Sequence, residues 1–164
     1  MTLLEIKMLL EHIAENDPNI NDVVESGNVF DLNNEEYEQQ YSAFCVTQNQ
    51  HNIGIDYSTY SFTMFYVDRL TLDKKNRIEI QSSAIQFFHN FIKTIENEYF
   101  NLNYTNGMVQ TFEQRFSAEC AGAFMTIDIT TTNNSVCSEI EAKLGEFAPD
   151  EFSNDFFKVV NMYI

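Results

Sequence analysis

DYSTYSFTMFYVDRL, residues 56–70, is the stretch that decides the fold. Tyr60, Phe62, Met64 and Tyr66 alternate with Thr59, Ser61 and Thr63, a period of two that belongs to a β-strand. From Phe65 and Val67 onward both sets of side chains are apolar. That end of the strand is therefore expected in the middle of a sheet, covered on both faces.

Upstream, residues 41–48 read as a partner strand, with Tyr41, Ala43 and Cys45 on one side and Phe44 and Val46 on the other. Residues 49–54 carry turn chemistry. Val29-Phe30-Asp31-Leu32 reads as a short strand, followed by an acidic loop over residues 33–40. At the start of the chain, Thr2 and Glu5 have the spacing of a capping box. Leu3, Ile6, Leu10 and Ile13 then fall on one face of a helix over residues 3–15. Residues 16–27 read as a polar connection.

Downstream, Asp73-Lys74-Lys75-Asn76 is a turn. Residues 80–99 give the strongest helix signal: Ile85, Phe88, Ile92, Ile95 and Tyr99 are spaced three and four apart, and Phe87 and Phe91 widen the stripe. A stripe this wide packs across a sheet. Asn106-Gly107 is a strong turn signal. Residues 108–120 read as a strand with room for a break, and residues 123–132 as another, Phe124, Thr126, Asp128 and Thr130 alternating with Met125, Ile127 and Ile129. The fold class is α+β: a mainly antiparallel sheet of four to five strands, with an N-terminal helix and one long central helix packed on one face. The division expected is a domain over residues 1–137 and an acidic, Phe-rich extension over residues 138–164.

Composition narrows the function classes. A chain of 164 residues predicts one domain, and fifteen Phe and eight Tyr argue for a packed core over disorder. The formal net charge is -16, from 25 acidic and 9 basic residues. Such a surface repels phosphate, so no sequence-specific nucleic-acid binding is expected. It repels anionic lipid too, and no run approaches the ~18 apolar residues of a membrane helix. Residues 1–10 lack the basic start and small-residue cleavage site of a secretory signal. Cys45, Cys120 and Cys137, an odd set without CxxC spacing, read as reduced thiols in a cytosolic setting.

Chemistry is sparse. His12, His51 and His89 lack partners at metal-ligand spacing. Asp17, Asn19, Asn21 and Asp22 resemble the start of a calcium loop, but Asp22 stands where glycine must turn the chain and Asn28 where glutamate must chelate. No phosphate-binding glycine loop or nucleophile elbow is present, and Cys120 and Cys137 have no neighbouring histidine. The expectation is a protein without catalytic residues, metal or cofactor. Two features suggest contacts instead. Arg69, Lys74, Lys75 and Arg77 gather four of the nine cations around one turn: a solvated loop, or a patch for an acidic surface such as a second copy of this chain. Phe147, Phe152, Phe156 and Phe157 either cap the domain's own core or anchor an arm on a partner.

Several phrases spread over most of the chain carry a resemblance. They are Gly27-Asn28-Val29-Phe30-Asp31-Leu32-Asn33, the strand over residues 41–46, Phe65-Tyr66-Val67-Asp68-Arg69-Leu70 and Asn76-Arg77-Ile78-Glu79-Ile80-Gln81-Ser82. Phe112-Glu113-Gln114-Arg115-Phe116, Ala121-Gly122-Ala123-Phe124 and Cys137 follow. In this pattern the chain resembles the tail-terminator and head-to-tail connector ring proteins of tailed bacteriophages, particularly those of crAss-like and related phages of Bacteroidetes. It departs from the pattern in having Ser42 after Tyr41, where a Tyr-Pro pair is expected, and in the acidic run before it. The resemblance implies a sixfold or twelvefold homo-oligomeric ring that contacts portal, connector and tail proteins and lines the DNA path. It implies a place in the virion neck, with host cytoplasm as the site of assembly. An anionic lumen suits DNA that must slide. The alternative is a small acidic protein-binding or assembly-chaperone module without catalysis.

Overall fold

A computed structural model describes residues 1–24, 40–99, 102–113 and 119–132. The strand expected over residues 29–32, Cys137 and the extension over residues 138–164, with Phe147, Phe152, Phe156 and Phe157, lie outside the described residues.

Among the described residues, two helices and six strands follow in the order α1 (Leu3–Glu15), β1 (Asp22–Val23), β2 (Ala43–Ile53), β3 (Tyr57–Arg69), α2 (Arg77–Glu98), β4 (Asn103–Asn106), β5 (Gln110–Glu113) and β6 (Cys120–Thr132). The strand order is β1-β2-β3-β6-β4, with β5 also paired to β6. β3 is central, as its two-sided apolar end implies. Its partners β2 and β6 are both antiparallel to it. The sheet is nonetheless mixed, because β1 runs parallel to β2. That strand falls in the stretch read as a polar connection. Asn21 N–H and Val24 N–H donate to the carbonyls of Ser42 and Phe44, both at 2.9 Å, so backbone pairing there needs no apolar run.

Thr2 caps α1 as its sequence predicts. Its Oγ1 accepts from Glu5 N–H at 3.3 Å, and Glu5 Oε2 accepts from Thr2 N–H at 2.6 Å. Both helices cover one face of the sheet. Ile6, Leu10 and Ile13 from α1 join Ile80, Ala84, Phe87, Phe88, Phe91 and Ile95 from α2 over Phe44, Val46, Phe62, Met64, Met125, Ile127 and Ile129. The buried stripe of α2 is rotated from the expected one. Ile85 is 49% exposed, and Phe87 and Phe91, read as the margin, are the centre. Phe87 packs on Phe44, Tyr66, Phe88 and Phe91 with ring centroids between 5.2 and 5.7 Å. Aromatic pairs at such distances add about 0.5–1.5 kcal/mol each beyond the area they bury.

Two turns differ from expectation. β2 runs on through residues 49–53, with a register shift between Gln48 and His51, and turns only at Ile55-Asp56, where Gly54 N–H donates to Tyr57 O at 2.9 Å. Asn106-Gly107 is not a hairpin. Asn106 opposes Ile127 and Gln110 opposes Phe124, so residues 107–109 face residues 125–126 as a bulge, and Gly107 N–H donates to Thr126 O at 2.7 Å. β4 and β5 are thus two parts of one interrupted edge strand along β6.

Gly122 sits where the β3 backbone leaves no room for a side chain on β6. A Cβ there would lie 1.9 Å from Tyr66 O and 3.1 Å from the Phe112 ring, whereas at Gly107 it would have only ordinary contacts at 3.4 Å and beyond. Gly122→Ala is expected to cost on the order of 3 kcal/mol or more in urea unfolding, as overpacking against backbone cannot be relieved by a rotamer. Gly107→Ala should stay within about 1 kcal/mol.

Candidate interaction surfaces

The four cations singled out in the sequence do come together, at the end of β3 and the start of α2. The turn between them is built by polar side chains. Thr71 N–H donates to Asn76 Oδ1 at 2.9 Å, Asn76 Nδ2 donates to Arg69 O at 3.0 Å, and Thr71 Oγ1 donates to Asp73 Oδ1 at 2.7 Å. Lys74 takes a left-handed conformation with φ of 55°, a cost that a tight turn accepts. Each cation has a partner within the chain. Lys74 pairs with Glu119 at 3.2 Å, Lys75 with Asp73 at 2.8 Å and Arg77 with Glu113 at 2.9 Å. The Arg69 guanidinium lies 4.9 Å from the centre of the Tyr41 ring. Hydrogen bonds from Lys75 and Thr71 hold the Asp73 carboxyl below its ordinary range. Three of the cations are thus matched to Asp73, Glu113 and Glu119. Ion pairs this exposed are worth ~0–1 kcal/mol, so the partners can be exchanged for those of another surface.

Behind the turn, on the face away from the helices, is a second apolar cluster: Val24, Ala43, Cys45, Phe65, Val67, Phe112 and Cys120, with Tyr41 and Phe124 packed against it. Phe65 and Phe124 stack with centroids 5.7 Å apart. Burial pushes the Tyr41 phenol up to about 12, helped by its hydrogen bond with Cys120 and opposed by Arg69. Burial raises the Cys120 thiol as well, and a thiol so held is a poor nucleophile. Burial also raises the Asp68 carboxyl, with the Arg69 N–H lowering it in part.

Further along the same face the register aligns hydroxyls. Thr59 meets Thr130 at 3.0 Å, Thr63 meets Thr126 at 3.4 Å, and Asn49 Nδ2 donates to Thr63 Oγ1 at 2.8 Å. Asp128, paired with Ser61 and Thr105, is the acid at the centre of this face; Asp22, opposite Ala43 on β1, lies at its edge. In so acidic a chain, the face is depleted of charge.

The histidines stay apart. Among the described residues no group of three or more His, Cys, Asp or Glu is placed to hold a metal ion. Asp17 and Asn19 form a turn in which Asn19 N–H and Nδ2 donate to Asp17 Oδ1 at 2.9 and 2.8 Å, and Asn21 Nδ2 donates to Tyr41 O, so both amides are engaged in holding the chain. His51 rests against the Tyr60 ring at 5.7 Å, its Nε2 2.7 Å from the Gln48 amide nitrogen. His12 borders a cleft of about 450 Å³ between the ends of α1 and α2, which the sequence did not signal because its walls are 80 residues apart in the chain. No protein-family model and no curated protein matches this chain.

The Tyr41 shift has a sign that can be measured. The folded chain keeps the phenol proton to about pH 12, whereas an unfolded tyrosine loses it near ~10. Unfolding therefore releases a proton between those values, and stability falls as pH rises through that window. Tyr41→Phe should flatten part of this loss in denaturant titrations, and should cost about 1 kcal/mol at neutral pH for the missing hydrogen bond.

Proposed function

We propose that this chain is a structural component of a tailed-phage particle, a subunit of the sixfold or twelvefold ring at the head-to-tail junction that joins portal to tail and lines the DNA path. Its place is the virion neck, reached by assembly in the host cytoplasm. The role needs no catalysis and no cofactor. One observation carries the reading: among the described residues, phrases that resemble this family and are far apart in sequence come together at one end of the sheet. Phe65 of the first faces Phe124 of another, Asp68 faces Ala121, and Arg77 reaches Glu113. Local motifs that assemble into one unit support a shared architecture more than scattered likenesses do. The excess of acid supports it too, since DNA does not adhere to a like-charged wall. The turn from Arg69 to Arg77 supplies exchangeable ion pairs for a neighbouring acidic copy, and a heterologous contact of that kind generates a ring where its rotation closes.

The second reading is a small acidic protein-binding or assembly-chaperone module. It is favoured by the pairing of Lys74, Lys75 and Arg77 within the chain, which leaves the acidic surface to attract a basic partner. Electron microscopy and protein composition of the parent particle separate the two. Ring density at the neck containing this chain is expected. Particles that lack the chain, with the chain recovered instead on a soluble basic protein, would overturn the ring and favour the chaperone. Lys75, whose side chain is 84% exposed, gives a sharper check. Lys75→Glu should weaken assembly in sedimentation while changing stability by less than about 0.5 kcal/mol.

A further inference from the structure

For most of its length β2 has a partner on one side only. β1 covers its other side at the start, where Asn21 N–H donates to Ser42 O and Val24 N–H to Phe44 O, each at 2.9 Å. From Val46 to Ile53, among the described residues, the ladder of β2 runs to β3 alone. Residues two apart on a strand point their backbone groups the same way. Val46 and Gln48 therefore turn N–H and C=O outward, as Phe44 does toward β1.

A row of unpaired backbone donors and acceptors is a template for another strand, and folded proteins blunt such rows with lysine, other charges or proline. This rim carries none of the three. Gln48, Asn49, Gln50 and Asn52 are exposed amides, and Ile53 beyond them is 78% exposed. Its one irregularity is the register shift between Gln48 and His51. The opposite rim is better guarded: β4 and β5 are four residues each, the bulge at Gly107 divides them, and β5 ends on Glu113. The sequence shows the same contrast. Over residues 41–67 the one charged side chain is Asp56, in a chain whose charged residues make up 21%. An approach along the β2 rim thus opposes few carboxylates.

We propose that β2 is a self-pairing edge: two copies of this chain join their β2 strands antiparallel about a twofold axis, over the amide-rich stretch from Gln48 to Asn52, and continue one sheet into the other. A second copy suits this rim on charge and on hydrogen bonding. An edge without charge offers nothing to a charged partner and does not repel its own copy, whereas Asn and Gln amides, each both donor and acceptor, match their own kind. Ile53 of each copy adds apolar area to the contact. The turn at Arg69 lies at the other end of β3, so this pairing leaves it open and does not rest on the ring.

Sedimentation and amide hydrogen exchange of the full chain test the pairing. A concentration-dependent dimer is expected, with exchange at the Val46 and Gln48 amides slowed as it forms. Gln50→Lys should raise the dissociation constant about fivefold or more, because it sets like charges across the axis. The same substitution brings the net charge of -16 one unit nearer zero, so association governed by overall charge would strengthen instead. Gln50 is exposed, and the variant should unfold in urea as the parent does. Lys75→Glu should leave this dimer unchanged, which separates it from the ring contact. A chain that stays monomeric, a dimer whose Val46 and Gln48 amides still exchange freely, or a dimer indifferent to Gln50→Lys would overturn the proposal. So would slowing of those amides by a strand of another protein while this chain itself stays monomeric.

Discussion

The structure depends on β3 being buried along both faces at its C-terminal half. Tyr66, Met64 and Phe62 face the helices, while Phe65 and Val67 face the second cluster. A strand apolar on both sides cannot lie at an edge without exposing one row, so β2 and β6 must flank it. The two helices then close one face and the smaller cluster covers half of the other. Gly122 is a consequence of the same constraint. β6 must approach β3 where Tyr66 O leaves no space for a Cβ. The register that follows fixes which side chains meet at the end of the sheet, and therefore where the basic turn and the Tyr41–Cys120 contact are built.

What could be read in the sequence followed from the strength of the period. The alternation in residues 56–70 and 123–132 specified both long strands and their faces, and the capping box placed the start of α1. α2 was legible as a helix but not in its rotation. With apolar residues at 85, 87, 88, 91, 92 and 95, two stripes about one residue apart satisfy the spacing, and packing on Phe44 and Tyr66 selects the one centred on Phe87. The bulge at Gly107 was not legible, because Asn-Gly serves a hairpin and a bulge alike and the choice depends on β6 being alongside. β1 was hidden for a different reason: two residues held by backbone hydrogen bonds leave no side-chain pattern.

The surfaces divide the same way. The cluster of cations at residues 69–77 is local in the chain and was visible. Its pairing with Glu113 and Glu119 was not, since those acids arrive from β5 and from just before β6. The cleft was invisible for the same reason: its walls come from α1 and α2, which meet only because both helices pack on one sheet. Each of these missed features is a long-range pairing, and charge placement on a surface carries no period.

With a net charge of -16, the electrostatics of association are restrictive. At physiological salt, charges interact over about 8 Å, so two copies feel little repulsion until their surfaces are close, and then the local charge at the contact decides. The acidic excess disfavours most orientations, which leaves contacts that pass through charge-poor or charge-complementary regions. The described part of the chain offers one of each: the hydroxyl-lined sheet face around Thr59, Thr63, Thr126 and Thr130, and the turn whose cations can exchange partners. Such a surface selects partners by exclusion as much as by attraction, because an approach that opposes carboxylates to carboxylates is penalised before any side chain can pack.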